Sequence, residues 1–229
     1  MIETVSRWKS RTSDSIRLVA FGSSNTELSL ALAGRHNWVS WLSVAITAQV
    51  GHHVCVINRG IGGETTAELL GRIERDVLSF APELVIVTIG GNDAMRGMTV
   101  VQYKDNLQKL CILIKEAGAQ PVLQTYYCPL YHQMPAGFAA LFEQFVQANR
   151  DIADLAGYGL IDQYRIFSPL YKADPASYVS LMRDSFHLNH IGNLIMAQQT
   201  LKALGLARVP VPGDWTEASA LPADIRALL

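Results

Sequence analysis

The stretch IRLVAFGSSNTE, residues 16–27, decides how the rest of the chain reads. It begins as an apolar run broken only by Arg17 and ends in glycine and small polar residues, the composition of a buried strand opening into a turn. Runs of the same kind recur at 54–57, 84–89, 121–126 and, more weakly, 158–162. Helical spacing fills the intervals. Leu69, Ile73 and Val77 fall four apart, as do Phe138, Phe142 and Val146, while Leu107, Cys111 and Ile114 follow an i, i+4, i+7 face. Gly157 and Gly205 suit helix C-terminal ends. The runs near 54 and 84 are almost continuously apolar, as expected of strands covered by helices on both faces. Strands alternating with helices predict a doubly wound α/β fold with about five parallel strands.

With 229 residues, 49% of them hydrophobic, the chain is long enough for one such domain and short for two. We therefore expect a single domain over 1–229, with its core at about 16–204 and a proline-bearing tail, VPVPGDWTEASALPADIRALL, within 206–229. The tail is expected to end in a short helix and to pack either on its own domain or on a second subunit, as a possible homo-oligomer contact. Lysine plus arginine number 19 against 20 acidic residues, for a formal charge of -1, so charge gives no reason to expect nucleic acid or an anionic membrane as partner. The expected partner is a small molecule. The first residues, MIETVSRWKSRTSD, lack an apolar h-region, and no stretch reaches the ~18 apolar residues of a membrane span, so a cytoplasmic protein is the default expectation. Cys55, Cys111 and Cys128 form no C-x-x-C pair and are expected to be reduced and mostly buried.

In open parallel sheets ligands bind beyond the carboxyl ends of the strands. Those places read GSSNTE, NRGIGGETT, GGND and TYYCPLYH. Each admits a bland reading, with glycines making turns and small polar residues capping helices; Ser24 with Glu27 and Thr65 with Glu68 both fit a capping box. Against this stands RDSFHLNHIG, residues 183–192. Asp184 and His187 are three apart, a separation that lets a carboxylate hold one imidazole nitrogen while the other faces a pocket. A histidine held in this way is a general base in want of a nucleophile, and Ser23 and Ser24 both lie at the expected face of the sheet.

FGSSNT, NRGIGGETT, GGND and DSFH, in that order and at those distances, resemble the GDSL or SGNH hydrolases, serine esterases and acylhydrolases with a flavodoxin-like three-layer α/β/α fold. The resemblance spans residues 16 to about 204. It implies Ser24 as nucleophile, with Asp184 and His187 completing the triad. Asn58, Gly60 and Gly63 fall on the family's N-x-G-x-x-G pattern, and the backbone amides of Ser24 and Gly60 with the carboxamide of Asn92 are the implied oxyanion hole. This chain departs from the family in carrying Ser23 for the usual aspartate and Asn25 for the usual apolar residue. Asp93 is expected to stiffen its loop.

The implied activity is cleavage of carboxylic esters through an acyl-enzyme, with short acyl groups on a sugar or other small alcohol preferred, and with no metal or organic cofactor. Three alternatives remain. Acyl transfer runs on the same triad; a metal-dependent hydrolase would use Asp184, His187 and His190; and a ligand-binding module would keep the fold without the reaction. The segment 22–26 is not G-x-S-x-G, and Thr65 stands where a dinucleotide-binding loop needs its third glycine. His190 is otherwise expected at a helix start, and His36, His52, His53 and His132 in surface or packing roles. Tyr126, Tyr127 and Tyr131 either line the pocket mouth or pack in core and rim.

Overall fold

The computed structural model describes Ile2 and residues 4–229. Five strands form one parallel sheet: β1 Ile16–Gly22, β2 Val54–Gly60, β3 Leu84–Thr88, β4 Gln120–Gln124 and β5 Gly159–Ile161, in the order β2-β1-β3-β4-β5. The helices Trp38–Gln49 and His190–Ala203 pack together on one face. Thr66–Asp76, Val100–Glu116 and Phe138–Ala156 pack side by side on the other. This is the three-layer, flavodoxin-like arrangement expected from the sequence. The apolar positions at helical spacing, Leu69, Ile73, Leu107, Cys111, Ile114, Phe138, Phe142 and Val146, are all buried in one continuous core.

The central strands are buried along their whole apolar length, as β3 shows. The edge strand β2 differs from expectation. It pairs with β1 alone, and beyond Val54 its residues are half-buried, with Cys55 exposed, so two-sided cover is absent there. β2 also runs on through the polar Asn58 and Arg59, because each side chain finds a partner: Asn58 Nδ2 donates to the Thr26 carbonyl at 2.7 Å, and Arg59 Nη2 to Asp76 Oδ1 at 2.5 Å. Thr65 and Glu68 form the expected capping box at the start of Thr66–Asp76. Gly157 ends Phe138–Ala156 at φ +65°, which a glycine adopts without strain.

The strand register brings Gly22, Gly60, Thr88 and Gln124 to one level. From β1 the chain goes first to β2 on one side, then crosses to β3 on the other. The crevice between the carboxyl ends of β1 and β3 is therefore the topological switch point, where such sheets bind ligands. The turn at 23–27 and the short helix Gly91–Met95 open there. Among the described residues, no helix is long and apolar enough to cross a membrane.

The tail packs on its own domain. Gln198 Nε2 donates to the carbonyls of Val209 and Leu229 at 2.8 and 2.7 Å, and Trp215, Leu221 and Ile225 are buried. The expected short helix is Ala223–Arg226. His190, the first residue of its helix, meets Glu217 Oε1 through Nε2 at 2.9 Å and the edge of Trp215 at 4.6 Å, while Arg35 reaches the same carboxylate oxygen at 3.1 Å. Burial holds the His190 imidazole below its ordinary 6.5, against the pull of Glu217. The Glu217 carboxyl is held down at about 2 by its own backbone amide, then by His190 and Arg35. Both groups therefore bind fewer protons docked than free, so docking weakens as pH falls. Hydrogen exchange should show amides of 209–221 protected above pH ~6.5, losing protection below it as free His190 takes up protons, and losing more below ~4.5 as Glu217 does. Protection that falls on raising the pH instead would contradict this account.

Candidate active site

β1 ends at a point of close approach. A Cβ on Gly22 would lie 2.4 Å from the Thr88 carbonyl oxygen, so only glycine lets β1 and β3 meet at this level. The chain then makes one tight turn, with the Ser23 carbonyl accepting from the amides of Thr26 at 2.9 Å and Glu27 at 3.0 Å. The next helix, the single 3-10 turn Leu30–Leu32, is capped by Ser29, so the capping role expected for Ser24 with Glu27 is not taken up. The two serines diverge. Ser23 is fully buried with its Oγ 2.7 Å from Tyr126 Oη, whereas Ser24 is half-buried with its Oγ 2.9 Å from His187 Nε2.

The histidine comes from a small hairpin closed by the Met182–Leu188 bridge and by the Arg183 amide donating to the His187 carbonyl at 2.8 Å. Within it, Asp184 Oδ1 accepts from the amides of Phe186 and His187, both at 2.8 Å, and both carboxylate oxygens lie 2.9 Å from His187 Nδ1. Partial burial pushes the Asp184 carboxyl up. The Phe186 amide and the neighbouring imidazole outweigh that and hold it below the usual carboxylate range. An ionised Asp184 keeps the proton on Nδ1, which leaves Nε2 as the acceptor facing Ser24.

Tyr127 ties the two loops together. Its phenol oxygen lies against the Asn25 carboxamide, 2.7 Å from the Phe186 carbonyl and 3.1 Å from the Leu188 amide, so one buried group contacts residues flanking both Ser24 and His187. Tyr126 and Tyr127 are 3% and 1% exposed, which settles their place in the core, while half-buried Tyr131 packs on Phe138, Phe142 and Tyr171. Nothing in the spacing of the sequence marked Tyr127, because its partners lie 102 and 59 residues away.

Donors for an oxyanion are distributed differently from expectation. Among the described residues the Ser24 amide has no partner. Asn92 Nδ2 donates to the Glu64 carbonyl at 2.8 Å, and its second hydrogen remains. The Gly60 amide is the correction: its single hydrogen goes to Asn58 Oδ1 at 2.9 Å. Gly60 is instead needed for packing, since a Cβ there would lie 2.2 Å from the Glu27 nitrogen. Gly63, the last glycine of the same motif, has φ +81° and an amide without a partner among the described residues, next to the Glu64 that holds Asn92. Asp93 takes its expected place, with Oδ1 accepting from the Thr66 amide at 2.8 Å and hydroxyl at 2.6 Å. Burial pushes its carboxyl up, against those two bonds.

Among the described residues, no three His, Cys, Asp or Glu side chains are grouped to hold a metal. His190 is turned to Glu217, His53 Nε2 lies 2.8 Å from the Trp8 carbonyl, and His36 packs edge-on to Trp41. Removing the Tyr127 hydroxyl by Tyr127→Phe leaves buried groups on both loops unpaired, at about 1–3 kcal/mol for each. Steady-state kinetics on an ester should show kcat lowered about 10- to 100-fold with KM changed little, since the loss falls on alignment. A rise in KM at unchanged kcat would refute the positioning role.

Known proteins resemble this chain in sequence and in fold. A sequence profile of the GDSL-like Lipase/Acylhydrolase family matches residues 20–195. An arylesterase of Vibrio mimicus is 36% identical over 93 residues, 41% of this chain and 46% of that protein. Esterase TesA of Pseudomonas aeruginosa is 33% identical over 94 residues, 41% of this chain and 46% of that one. The matched region thus spans less than half the length of either relative. Among solved structures, an acetylxylan esterase of Geobacillus stearothermophilus superposes with a TM-score of 0.73 at 21% identity, over 86% of this chain and 97% of that one, a likeness of fold. With a profile that runs from the end of β1 through the Asp184–His187 hairpin, this chain belongs to the GDSL-like lipase/acylhydrolase family.

Proposed function

We propose that the chain hydrolyses carboxylic esters of short acyl groups on small alcohols, sugars included, through an acyl-enzyme on Ser24. The single observation that carries this reading is the unbroken contact line from Ser24 Oγ to His187 Nε2 at 2.9 Å and from His187 Nδ1 to the Asp184 carboxylate at 2.9 Å. Serine is a weak nucleophile until a base takes its proton, and this line supplies the base, the tautomer and the counter-charge.

The steps follow from those contacts. Ser24 Oγ attacks the ester carbonyl as His187 Nε2 takes its proton. The imidazolium, facing an ionised Asp184, returns that proton to the departing alcohol oxygen as the carbon–oxygen bond breaks. Water then attacks the acyl-enzyme with His187 again as base, releasing the acid and restoring Ser24. The Ser24 amide and the free hydrogen of the Asn92 carboxamide receive the negative charge on the carbonyl oxygen, with the Gly63 amide as third donor in place of Gly60. A short acyl group suits the wall beside Asn92. A Cβ on Gly91 would lie 2.7 Å from Phe186 and 2.8 Å from Tyr126, so two aromatic rings already press on the backbone there. The free Cys55, Cys111 and Cys128 favour a reducing compartment, in keeping with a cytoplasmic site of action.

Labelling with a serine-directed phosphonate and peptide mass spectrometry tests the nucleophile. The adduct should sit on Ser24 and disappear in Ser24→Ala, while Ser23→Ala still carries it on Ser24; an adduct on Ser23 would refute the assignment. Asn92→Ala should lower kcat by about 10²–10³, the usual cost of one oxyanion donor. Dialysis against a chelator should leave the rate unchanged, and a loss restored by zinc would favour the metal reading of Asp184, His187 and His190.

A further inference from the structure

The alcohol part of the substrate must lie on the His187 side of Ser24, because His187 has to reach the departing oxygen with its proton. On that side a small cleft, with room for about one water molecule, is lined by Ser24, His187, Glu27, Arg183, Asn37 and Leu32. Most of its polar groups are already spent. Ser24 and His187 hold each other, and Asn37 Nδ2 donates to the carbonyls of Thr26 and Glu27 at 2.9 and 3.1 Å while its Oδ1 accepts from the Ser40 amide at 2.9 Å. Two groups stand out. The Glu27 carboxylate has no hydrogen-bond or ion-pair partner among the described residues. Arg183 reaches Asp184 Oδ2 only through Nε, at 3.5 Å, which leaves the two terminal nitrogens of its guanidinium unpartnered among the described residues.

Glu27 is held in place by backbone. Its amide donates to the Ser23 carbonyl at 3.0 Å and its carbonyl accepts from Asn37. Room for the carboxylate is made by the absence of a side chain at Gly62, where a Cβ would lie 2.8 Å from Glu27 Oε2. With no protein partner, both oxygens of this half-buried carboxylate are open to donors from a ligand.

We infer that the alcohol part of the substrate lies across the rim of this cleft and bears free hydroxyl groups, with Glu27 accepting from one and Arg183 donating to another, so that Glu27 determines specificity for polyol esters over esters of unfunctionalised alcohols. The inference rests on the ester-hydrolase reading and extends it to the alcohol. Opposite charges in one small cleft disfavour an alcohol with a net charge of either sign, which one of them would repel. A hydroxyl serves both, since it donates to the carboxylate and accepts from the guanidinium.

The test compares two acetates that share an acyl group: a methyl pyranoside carrying one acetyl group beside free hydroxyls, and 4-nitrophenyl acetate, whose leaving group has none. kcat/KM is measured on both for the wild type, Glu27→Ala and Glu27→Gln. The ratio of the pyranoside value to the aryl value should fall about tenfold or more in Glu27→Ala, the usual worth of a hydrogen bond to a charged group, and less in Glu27→Gln, which keeps an acceptor. A proportional loss on both substrates would make Glu27 merely structural and overturn the inference, as would a ratio that does not move. A wild type that cleaves the aryl acetate and ignores the pyranoside also overturns it while leaving the ester-hydrolase reading in place. A wild type that cleaves neither overturns both.

Discussion

The hydrogen bond between Ser24 Oγ and His187 Nε2, 2.9 Å long, joins residues 163 positions apart and sets the tolerance for everything around it. A misplacement of about 1 Å at a reacting centre costs on the order of 10² in rate. The structure meets the demand by anchoring the serine to the buried end of β1 and the histidine to a hairpin closed on itself, and then by fixing one to the other. Tyr127 does the last part from the core, where its ring is buried and its oxygen touches the Asn25, Phe186 and Leu188 positions together. Trp38 supports the same turn from the other side, its indole nitrogen donating to the Asn25 carbonyl at 2.8 Å.

A second line of contacts, this one ionic, leads from β1 to Asn92. Arg72, 6% exposed, donates to the Gly22 carbonyl at 3.0 Å and the Arg59 carbonyl at 3.1 Å, pairs with Asp76 at 3.0 Å and Glu64 at 2.6 Å, and lies 4.5 Å from the Phe21 ring centre. The guanidinium of Arg75, then those of Arg72 and Arg59, hold the Asp76 carboxyl far below the usual carboxylate range despite its burial. Burying such charges contributes little net stability, and breaking one costs about 3–5 kcal/mol. What the cluster supplies is position. Arg72 holds both Gly22, just before the serines, and Glu64, whose carbonyl holds Asn92, so the serine turn and Asn92 are referred to one planar group.

How much of this was legible depended on whether the physical cause was local. Asp184 and His187 are three residues apart and interact within their own turn, so their pairing was readable from spacing. The strands were readable because continuous apolar runs have few other uses, yet edge and centre look alike in such runs, and the half-exposed β2 was misread for that reason. Gly60 was misplaced because a motif names glycines without saying which amide is spent. Here Asn58, two residues earlier on the same strand, takes the hydrogen, and only the geometry reveals it. The Ser24–Glu27 capping pattern likewise matched by composition while the hydroxyl had a stronger partner far along the chain. Glu64, Arg72 and Tyr127 act through contacts between separate elements, for which a single sequence carries no periodic signal.

The two departures from the family pattern become intelligible on the same terms. Ser23 and Asn25, which stand for an aspartate and an apolar residue, are both buried, and each meets a tyrosine hydroxyl from the loop after β4: Ser23 with Tyr126, Asn25 with Tyr127. Burying a polar side chain is costly unless it is paired, and a buried phenol makes the same demand; Asn25 meets it through Oδ1, its Nδ2 having no partner among the described residues. The polar residues on the turn at 23–27 and the tyrosines beneath it therefore form one unit. An ionised carboxylate at 23 would face the Tyr126 phenol in a fully buried site, and an apolar side chain at 25 would strip Tyr127 of one contact to the turn it holds. Either change on one side calls for a matching change on the other, so the departures amount to a different way of fastening the same serine.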